Sequence, residues 1–432
     1  MPLTIVDRLL LGAYSLAMTL LLPTTLYHLV WRGLRQKEYL QRWDERFAFY
    51  PRSESPGCVW LHAVSVGEVN AAAPLIKALL ARHGSAPMLI TTVTPTGSAR
   101  VSDLFGDSVR QVYLPYDTPG AVRHFLDHFR PRLALVMETE IWPNLFAEVA
   151  RRRIPLLIVN ARLSERSLRG YRLIRPLVSA ALKAVAVLSA QSEADLKRYR
   201  QLGLRPDQGQ VCGNIKYDLE LPEALPRQAA HWRENWGDRP VWIAASTHVE
   251  EESVVVDAHR RVLQSFPNAL LLWAPRHPER FAAVAEQAAA AGFRVGNRRD
   301  DGQPPADCQC FVINSLGELL AFYAASDVAF VGGSLQPVGG HNLLEPAAVG
   351  VPVLVGPHTF NFEEIAAVLL QAGAAQRIAD SASLASAVIA LLADPQQRRQ
   401  RGADGRRCVE DARGALARTL EQVERYLPAV PG

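Results

Sequence analysis

Short apolar runs that recur with a helical stretch between them constrain the fold of this chain more than any other feature. In the first half they are Cys58–Val64, Met88–Val93, Leu133–Met137, Leu156–Val159 and Ala184–Leu188. The second half repeats the pattern with VWIAAS from Val241, LLLWAP from Leu270, CFVIN from Cys310, VAFVGG from Val328 and VPVLVG from Val351. Each run is continuous, not alternating, as expected of a strand buried on both faces of a parallel sheet. Stretches such as VNAAAPLIKALLARHG and GAVRHFLDHFR lie between them and read as covering helices. The prediction is an α/β fold with two similar halves and a cleft between them.

The pattern lapses over Gly213–Gln228, a Pro- and Gly-containing stretch without a clear period, which reads as a connection. The expected organisation is a membrane-anchoring segment at 1–31, a first domain at 32–212, the connection at 213–228 and a second domain at 229–432. An Arg-rich helix over Pro395–Leu427 is expected to close the second domain and lean back on the first. A length of 432 residues suits two or three domains at ~150 residues each. A formal charge of +4 is too small to argue for nucleic acid. Five scattered cysteines show no paired metal spacing and fit a reducing compartment.

Leu9–Val30 carries no charged residue and is long enough for one bilayer crossing. Pro23 and Thr24–Thr25 weaken its last turn, so an interfacial helix and a core helix are the other two readings. The basic stretch from Trp31 to Arg46 places the remainder of the chain on the cytoplasmic side of a membrane.

Candidate chemistry begins with Gly332–Pro357. Gly332, Gly333 and Ser334 form a loop after an apolar strand, where backbone N–H groups can hold a phosphate without a metal. Asn342, Leu343, Leu344 and Glu345 then open a helix, and a carboxylate at Glu345 can accept hydrogen bonds from ribose hydroxyls. Glu68 follows a strand across Gly67, at a carboxyl end of the sheet where ligands bind. It reads equally as a base for an attacking hydroxyl and as a helix-capping acid. Glu138 and Glu140 directly follow another strand beside Trp142; either is a ligand group or an ion-pair partner. Lys216 lies in the connection, facing the expected cleft.

Arg276, just after Pro275 at the end of a strand, offers a planar fork for phosphate. Leu316, Gly317 and Glu318 open a helix whose backbone can edge against a base. The stretch Asn160–Arg175 has five arginines against one glutamate. Arg162, Arg166 and Arg169 there read either as contacts to anionic lipid headgroups or as a solvated face.

These residues carry a resemblance. WLHAVSVGEV, TTVTPTGSAR, YLPYDTP, METEIWPNL, NARLSERS, GNIKYD, APRHPER, LGEL, GGSLQPVGGHNLLEP and TFNFEE occur in family order, and the chain resembles the 3-deoxy-D-manno-octulosonic acid (Kdo) transferases along nearly its whole length. The resemblance implies a GT-B fold, two Rossmann-like domains, with the donor CMP-Kdo held mainly by the second. It implies that Glu68 is the catalytic base and that Glu138 and Lys216 support the transition state. Pro275, Arg276, Leu316, Gly317, Glu318, Asn342, Leu343, Leu344 and Glu345 match positions that bind CMP. Leu316 departs from the methionine expected there, a change that a backbone contact or apolar wall survives.

The implied reaction moves Kdo onto the lipid A precursor with inversion, at the cytoplasmic side of the inner membrane. No Asp-x-Asp motif sits at a strand end, so no metal or other cofactor is expected. Lys216, Arg276 and the Gly332–Gly333 loop are the candidates to meet the charge of the departing CMP. Two other readings remain: a UDP-sugar transferase or epimerase of the same fold, and a membrane-tethered binding protein without turnover, which needs no base at Glu68.

Overall fold

The computed structural model describes residues 4–50, 57–84 and 86–427; the outermost residues of the expected first and last segments lie outside these. The chain forms two compact units, Met1–Asp218 with Arg413–Gly432, and Leu219–Ala412. Each is an α/β layer structure built on one seven-stranded sheet.

The first sheet consists of β1 (Val59–His62), β2 (Met88–Thr92), β3 (Arg110–Tyr113), β4 (Leu133–Met137), β5 (Leu156–Ala161), β6 (Val187–Ala190) and β7 (Gly209–Val211). Its order is β3-β2-β1-β4-β5-β6-β7, and every pairing is parallel. Alternate residues of the central strands feed two different cores. Trp60, Val136 and Ile158 pack with Phe125 and Phe146 on one face. Leu61, Leu135 and Val159 pack with Leu75 and Ile76 on the other. Double burial explains why these strands read as unbroken apolar runs.

The second sheet repeats the plan with β8 (Val241–Thr247), β9 (Leu270–Pro275), β10 (Val295–Asn297), β11 (Cys310–Val312), β12 (Val328–Val331), β13 (Val353–Val355) and β14 (Ala375–Arg377). Its order is β10-β11-β9-β8-β12-β13-β14, again all parallel. In both sheets the chain fills one side of a central strand and then starts again on its other side. Those reversals, between β1 and β4 and between β8 and β12, leave a crevice at the carboxyl ends of the strands, where ligands bind in open α/β sheets.

The expected terminal helix is two helices. Pro395–Asp411 belongs to the second unit, and Ala415–Glu424 belongs to the first. Gly414, at φ 90°, makes the break. The Asp218 carboxylate accepts from Gly414 N at 2.6 Å and Leu416 N at 2.5 Å, capping the new helix. Leu420, Val423 and Leu427 then bury against Leu75, Ile76 and Leu79 of the helix Val66–His83.

At the other end, Ile5–Leu20 and Leu22–Arg35 are two helices meeting at 45°. Among the described residues no single helix is long and apolar enough to cross a membrane; the bent pair passes together, by length and composition. The first helix meets its unit through polar groups. Lys183 Nζ lies 2.6 Å from Asp7 Oδ2, Tyr14 Oη donates to Asp117 Oδ2 at 3.0 Å, and Ser15 Oγ donates to Asn144 Oδ1 at 2.6 Å. Three of its five leucines point away: Leu9, Leu16 and Leu20 are 69%, 62% and 69% exposed, with Leu10 and Leu11 half-buried and none fully buried. A core helix buries its leucines, so the core-helix reading of this segment does not hold.

Candidate active site

In the first unit the chemistry collects at the β1/β4 reversal. Glu68 stands in the first turn of the helix Val66–His83, immediately after β1. Its Oε2 accepts from Val64 N at 2.8 Å, which fixes the strand-to-helix turn and aims the carboxyl. Burial pushes this carboxyl up to about 8, reinforced by the negative charges of Glu138 and Glu140. The Val64 amide and the Lys216 ammonium pull the other way. A carboxylate held that high binds a proton far more readily than a free one, which suits a general base. The capping and base readings of Glu68 are therefore compatible: one oxygen is occupied by the turn.

Glu138 follows β4 in the left-handed region, at φ 55°. A β-carbon there is strained, by roughly 1–3 kcal/mol. The surroundings over-determine the turn. Glu138 N donates to Val159 O at 3.0 Å, and Tyr199 Oη donates to Glu138 O at 3.0 Å. Tyr171 Oη donates to Thr139 O at 3.2 Å, and Thr139 Oγ1 to Arg162 O at 2.7 Å. The turn delivers Glu138 Oε1 to 3.4 Å from Lys216 Nζ. Lys216 sits in the short helical turn Ile215–Tyr217, pinned where Ile215 N donates to Asn160 Oδ1 at 3.0 Å. Asn160 is itself left-handed, at φ 52°. Glu140 is also raised by burial and by Glu138. Glu68, Glu138, Glu140 and Lys216 thus share one electrostatic neighbourhood. Sequence reasoning missed Asn160, Tyr171 and Tyr199 as positioning residues, because buried tyrosines carry no local motif.

Arg162 follows β5 and is half-buried; Arg166 and Arg169 are exposed on the helix Glu165–Leu173. Leu173 and Ile174 are exposed at the end of that helix.

The second unit gathers its candidates at the β8/β12 reversal and along the adjoining strand ends. Pro275 closes β9 and is buried, and the backbone N–H of exposed Arg276 donates to Thr247 O at 3.0 Å. Leu316 is 75% exposed and Gly317 adopts φ 84°, a conformation that only glycine takes without strain. Glu318 is occupied by Arg298, whose Nε and Nη2 donate to its two oxygens at 3.0 and 2.6 Å. The backbone at Gly317 and Glu318, not the Glu318 carboxylate, is what remains for a base. Asn342 Nδ2 donates to Glu345 Oε1 at 3.0 Å, and Leu344 N donates to Asn342 Oδ1 at 3.0 Å. Burial raises the Glu345 carboxyl, offset by Asn342. Leu343 and Leu344 are buried and wedge this segment into the core. The helix itself, Leu344–Ala348, is a single short turn.

The glycine loop differs from expectation. Its amides turn inwards: Gly333 N donates to Glu251 Oε2 at 2.7 Å, and Ser334 N and Leu335 N donate to Glu251 Oε1 at 3.0 and 2.9 Å. Gly332 N donates to Ala245 O at 2.8 Å. Ser334 is fully buried, its Oγ donating to Val331 O and accepting from Gly356 N. A protein carboxylate therefore takes the role assigned to a phosphate, and Gly332, Gly333 and Ser334 shape the site without facing it. Their glycines are needed for space, since a Cβ on Gly333 would lie 2.8 Å from the His341 ring. Among the described residues no group of three or more His, Cys, Asp or Glu side chains is placed to hold a metal ion.

The arrangement has close relatives. A family model described as 3-deoxy-D-manno-octulosonic-acid transferase matches residues 41–219, the stretch holding Glu68, Glu138 and Lys216. The 3-deoxy-D-manno-octulosonic acid transferase of Haemophilus influenzae is 41% identical over 91% of this chain and 93% of its own. The chain belongs to the Kdo transferase family. The Bordetella pertussis Kdo transferase is 38% identical over 96% of this chain and 99% of its own. Among solved structures, the UDP-GlcNAc 2-epimerase of Neisseria meningitidis bound to UDP-GlcNAc aligns with 85% of this chain and 99% of its own, at TM-score 0.54 and 13% identity. At that identity the likeness concerns the fold alone, and with the two parallel sheets it makes this Kdo transferase family member a GT-B type α/β protein.

Proposed function

We propose that this chain transfers Kdo from CMP-Kdo to the lipid A precursor, by single displacement with inversion, at the cytoplasmic side of the inner membrane. The carrying observation is Glu68: a half-buried carboxyl that loss of solvent raises to about 8, at the topological reversal of its sheet, beside the Glu138–Lys216 pair. An acceptor hydroxyl gives its proton to Glu68 as its oxygen attacks the anomeric carbon, and CMP leaves with the bonding electrons. Lys216 and Glu138 hold the polar frame around that exchange, and Arg276 supplies a fixed cation for the phosphate. Glu345, steadied by Asn342, accepts from the ribose hydroxyls. Mass spectrometry of the product from purified protein, lipid IVA and CMP-Kdo tests the reading. Addition of Kdo supports it, and turnover of UDP-sugars alone would replace it with a UDP-sugar activity.

Glu345→Ala should weaken CMP binding about 10- to 100-fold, the worth of a hydrogen bond to a charged group. Calorimetry with CMP checks this, and unchanged affinity would place the ribose elsewhere.

The membrane reading rests on the N-terminal pair. One side of the first helix is held by Asp7, Tyr14 and Ser15, while Leu9, Leu16 and Leu20 face outwards, which favours a helix lying on the bilayer surface over one crossing it. Exposed Arg166 and Arg169 add cations for anionic headgroups. Replacing Leu9, Leu16 and Leu20 together by Glu should lower partitioning onto anionic vesicles by roughly three powers of ten or more, at ~1.5–3 kcal/mol for each buried leucine. Turnover on detergent-dispersed acceptor should persist. Undiminished vesicle binding in a flotation assay would refute the surface-helix reading.

A further inference from the structure

At the β8/β12 reversal three imidazoles gather near Arg276, and two of them meet nitrogen to nitrogen. His248 Nε2 lies 2.9 Å from His341 Nε2, with the rings parallel within 1°. His277 stands edge-on to His248, with centroids 5.4 Å apart. A contact of that length holds one proton: one ring donates and the other accepts, so the two nitrogens cannot both be protonated. The pair is built, not incidental. His248 follows β8 and its backbone N–H donates to Glu251 Oε2 at 3.0 Å. The same carboxylate gathers the amides of Gly333, Ser334 and Leu335, on the loop that leads to His341. One buried anchor therefore sets both rings.

The groups facing the pair come from two further elements. Arg276 and His277 approach from the loop after β9, and Glu250 and Glu251 from the helix Val249–Ser265. Burial, then the Arg276 charge, pulls His341 down to about 4. Burial also lowers His248, against the pull of Glu251 and Glu250. The pair is neutral near pH 7 in the empty site. An anion placed against the rings and Arg276 reverses the balance, because it favours the charged imidazole.

We propose that His248 and His341 form a proton-linked phosphate site, neutral when empty and carrying one added proton when the donor nucleotide's phosphate binds beside Arg276. The proton comes from solvent and enters at the ring nitrogen left bare in the neutral pair, so the Nε2–H···Nε2 bond stays intact. The bound phosphate then meets two cations, Arg276 and the imidazolium, and the second is present only while the phosphate is. The proposal rests on the reading of this unit as the nucleotide site.

The test is calorimetry of CMP and of cytidine on the full-length protein in detergent, in two buffers of different ionisation heat. At pH ~8 the CMP phosphate is already a dianion. CMP should then take up roughly half to one proton, cytidine none, and CMP affinity should fall up to about tenfold per pH unit above that. His248→Asn and His341→Asn should each abolish the uptake and weaken CMP about 10- to 100-fold, leaving cytidine unchanged. The wild-type heats decide even where a variant does not fold. CMP binding without proton uptake, or uptake persisting in both variants, overturns the proposal and leaves the donor reading standing. Binding of UDP but not CMP overturns both.

Discussion

Glu68→Gln should cut Kdo transfer by roughly 10²–10⁴, the usual contribution of a positioned general base, with CMP affinity unchanged. The amide keeps the size of the side chain and an oxygen for the Val64 N–H, so the strand-to-helix turn survives. What it loses is the ability to take a proton. In the wild-type enzyme the rate at low substrate should rise with pH and level off above about 8, where the carboxyl is ionised. The variant should lack that rise. Stability moves the opposite way. A carboxyl raised from 4.5 to about 8 by folding makes ionisation costly in the fold, so its contribution falls as pH rises between those values and stays low above them. At pH ~9 the Gln variant should therefore melt no lower than wild type. A well-folded Glu68→Gln protein with near-normal transfer would remove Glu68 from the mechanism. Normal transfer with a lowered melting temperature would make it a cap.

Glu251→Ala should be the most damaging single change in the second unit. Glu251 is fully buried and accepts from four backbone amides, those of His248, Gly333, Ser334 and Leu335. Truncation leaves these donors without an acceptor, at ~1–3 kcal/mol for each that cannot relax. The expected loss is about 4 kcal/mol or more, which lowers the melting temperature by roughly 10 °C for a unit of this size. Glu251→Gln should lie between, because its NH2 faces donors. Scanning calorimetry of the three proteins checks the order. A melting temperature for Glu251→Ala within ~2 °C of wild type would mean that the loop does not depend on this carboxylate.

The strands that were legible and those that were not divide by place in the sheet. Every central run, from Cys58–Val64 to Val351, became a strand, because burial on both faces leaves mostly apolar residues at those positions. The four strands missed are β3, β7, β10 and β14, the edges of the two sheets. Arg110–Tyr113 and Ala375–Arg377 carry polar, partly exposed side chains there, so no apolar run marks them. The run Ala184–Leu188 was placed early, with the strand at Val187–Ala190, next to the edge. The site divides likewise. Glu68, Glu138, Arg276 and Glu345 stood out because each follows a strand or opens a helix, and Lys216 because it lies in the connection. The role of Glu251 was hidden, since the loop amides that define it lie 82 to 84 residues downstream. The glycine loop was misjudged for the same reason: its shape was legible, but what its amides face was not.

The return of Ala415–Glu424 to the first unit has a consequence for how the protein is made. In the order of synthesis, the second unit is an insertion inside the first. The groove on the helix Val66–His83 that receives Leu420, Val423 and Leu427 must wait until all of Leu219–Ala412 has been translated. At ~5–20 residues per second that wait is roughly 10–40 s, with Leu75, Ile76 and Leu79 still short of their cover. The inserted unit is contiguous and can close on itself first, while the domain begun earliest is finished last. A nascent chain of this kind is most in need of a chaperone at its first domain, and a tag or truncation at the carboxyl end acts on that domain.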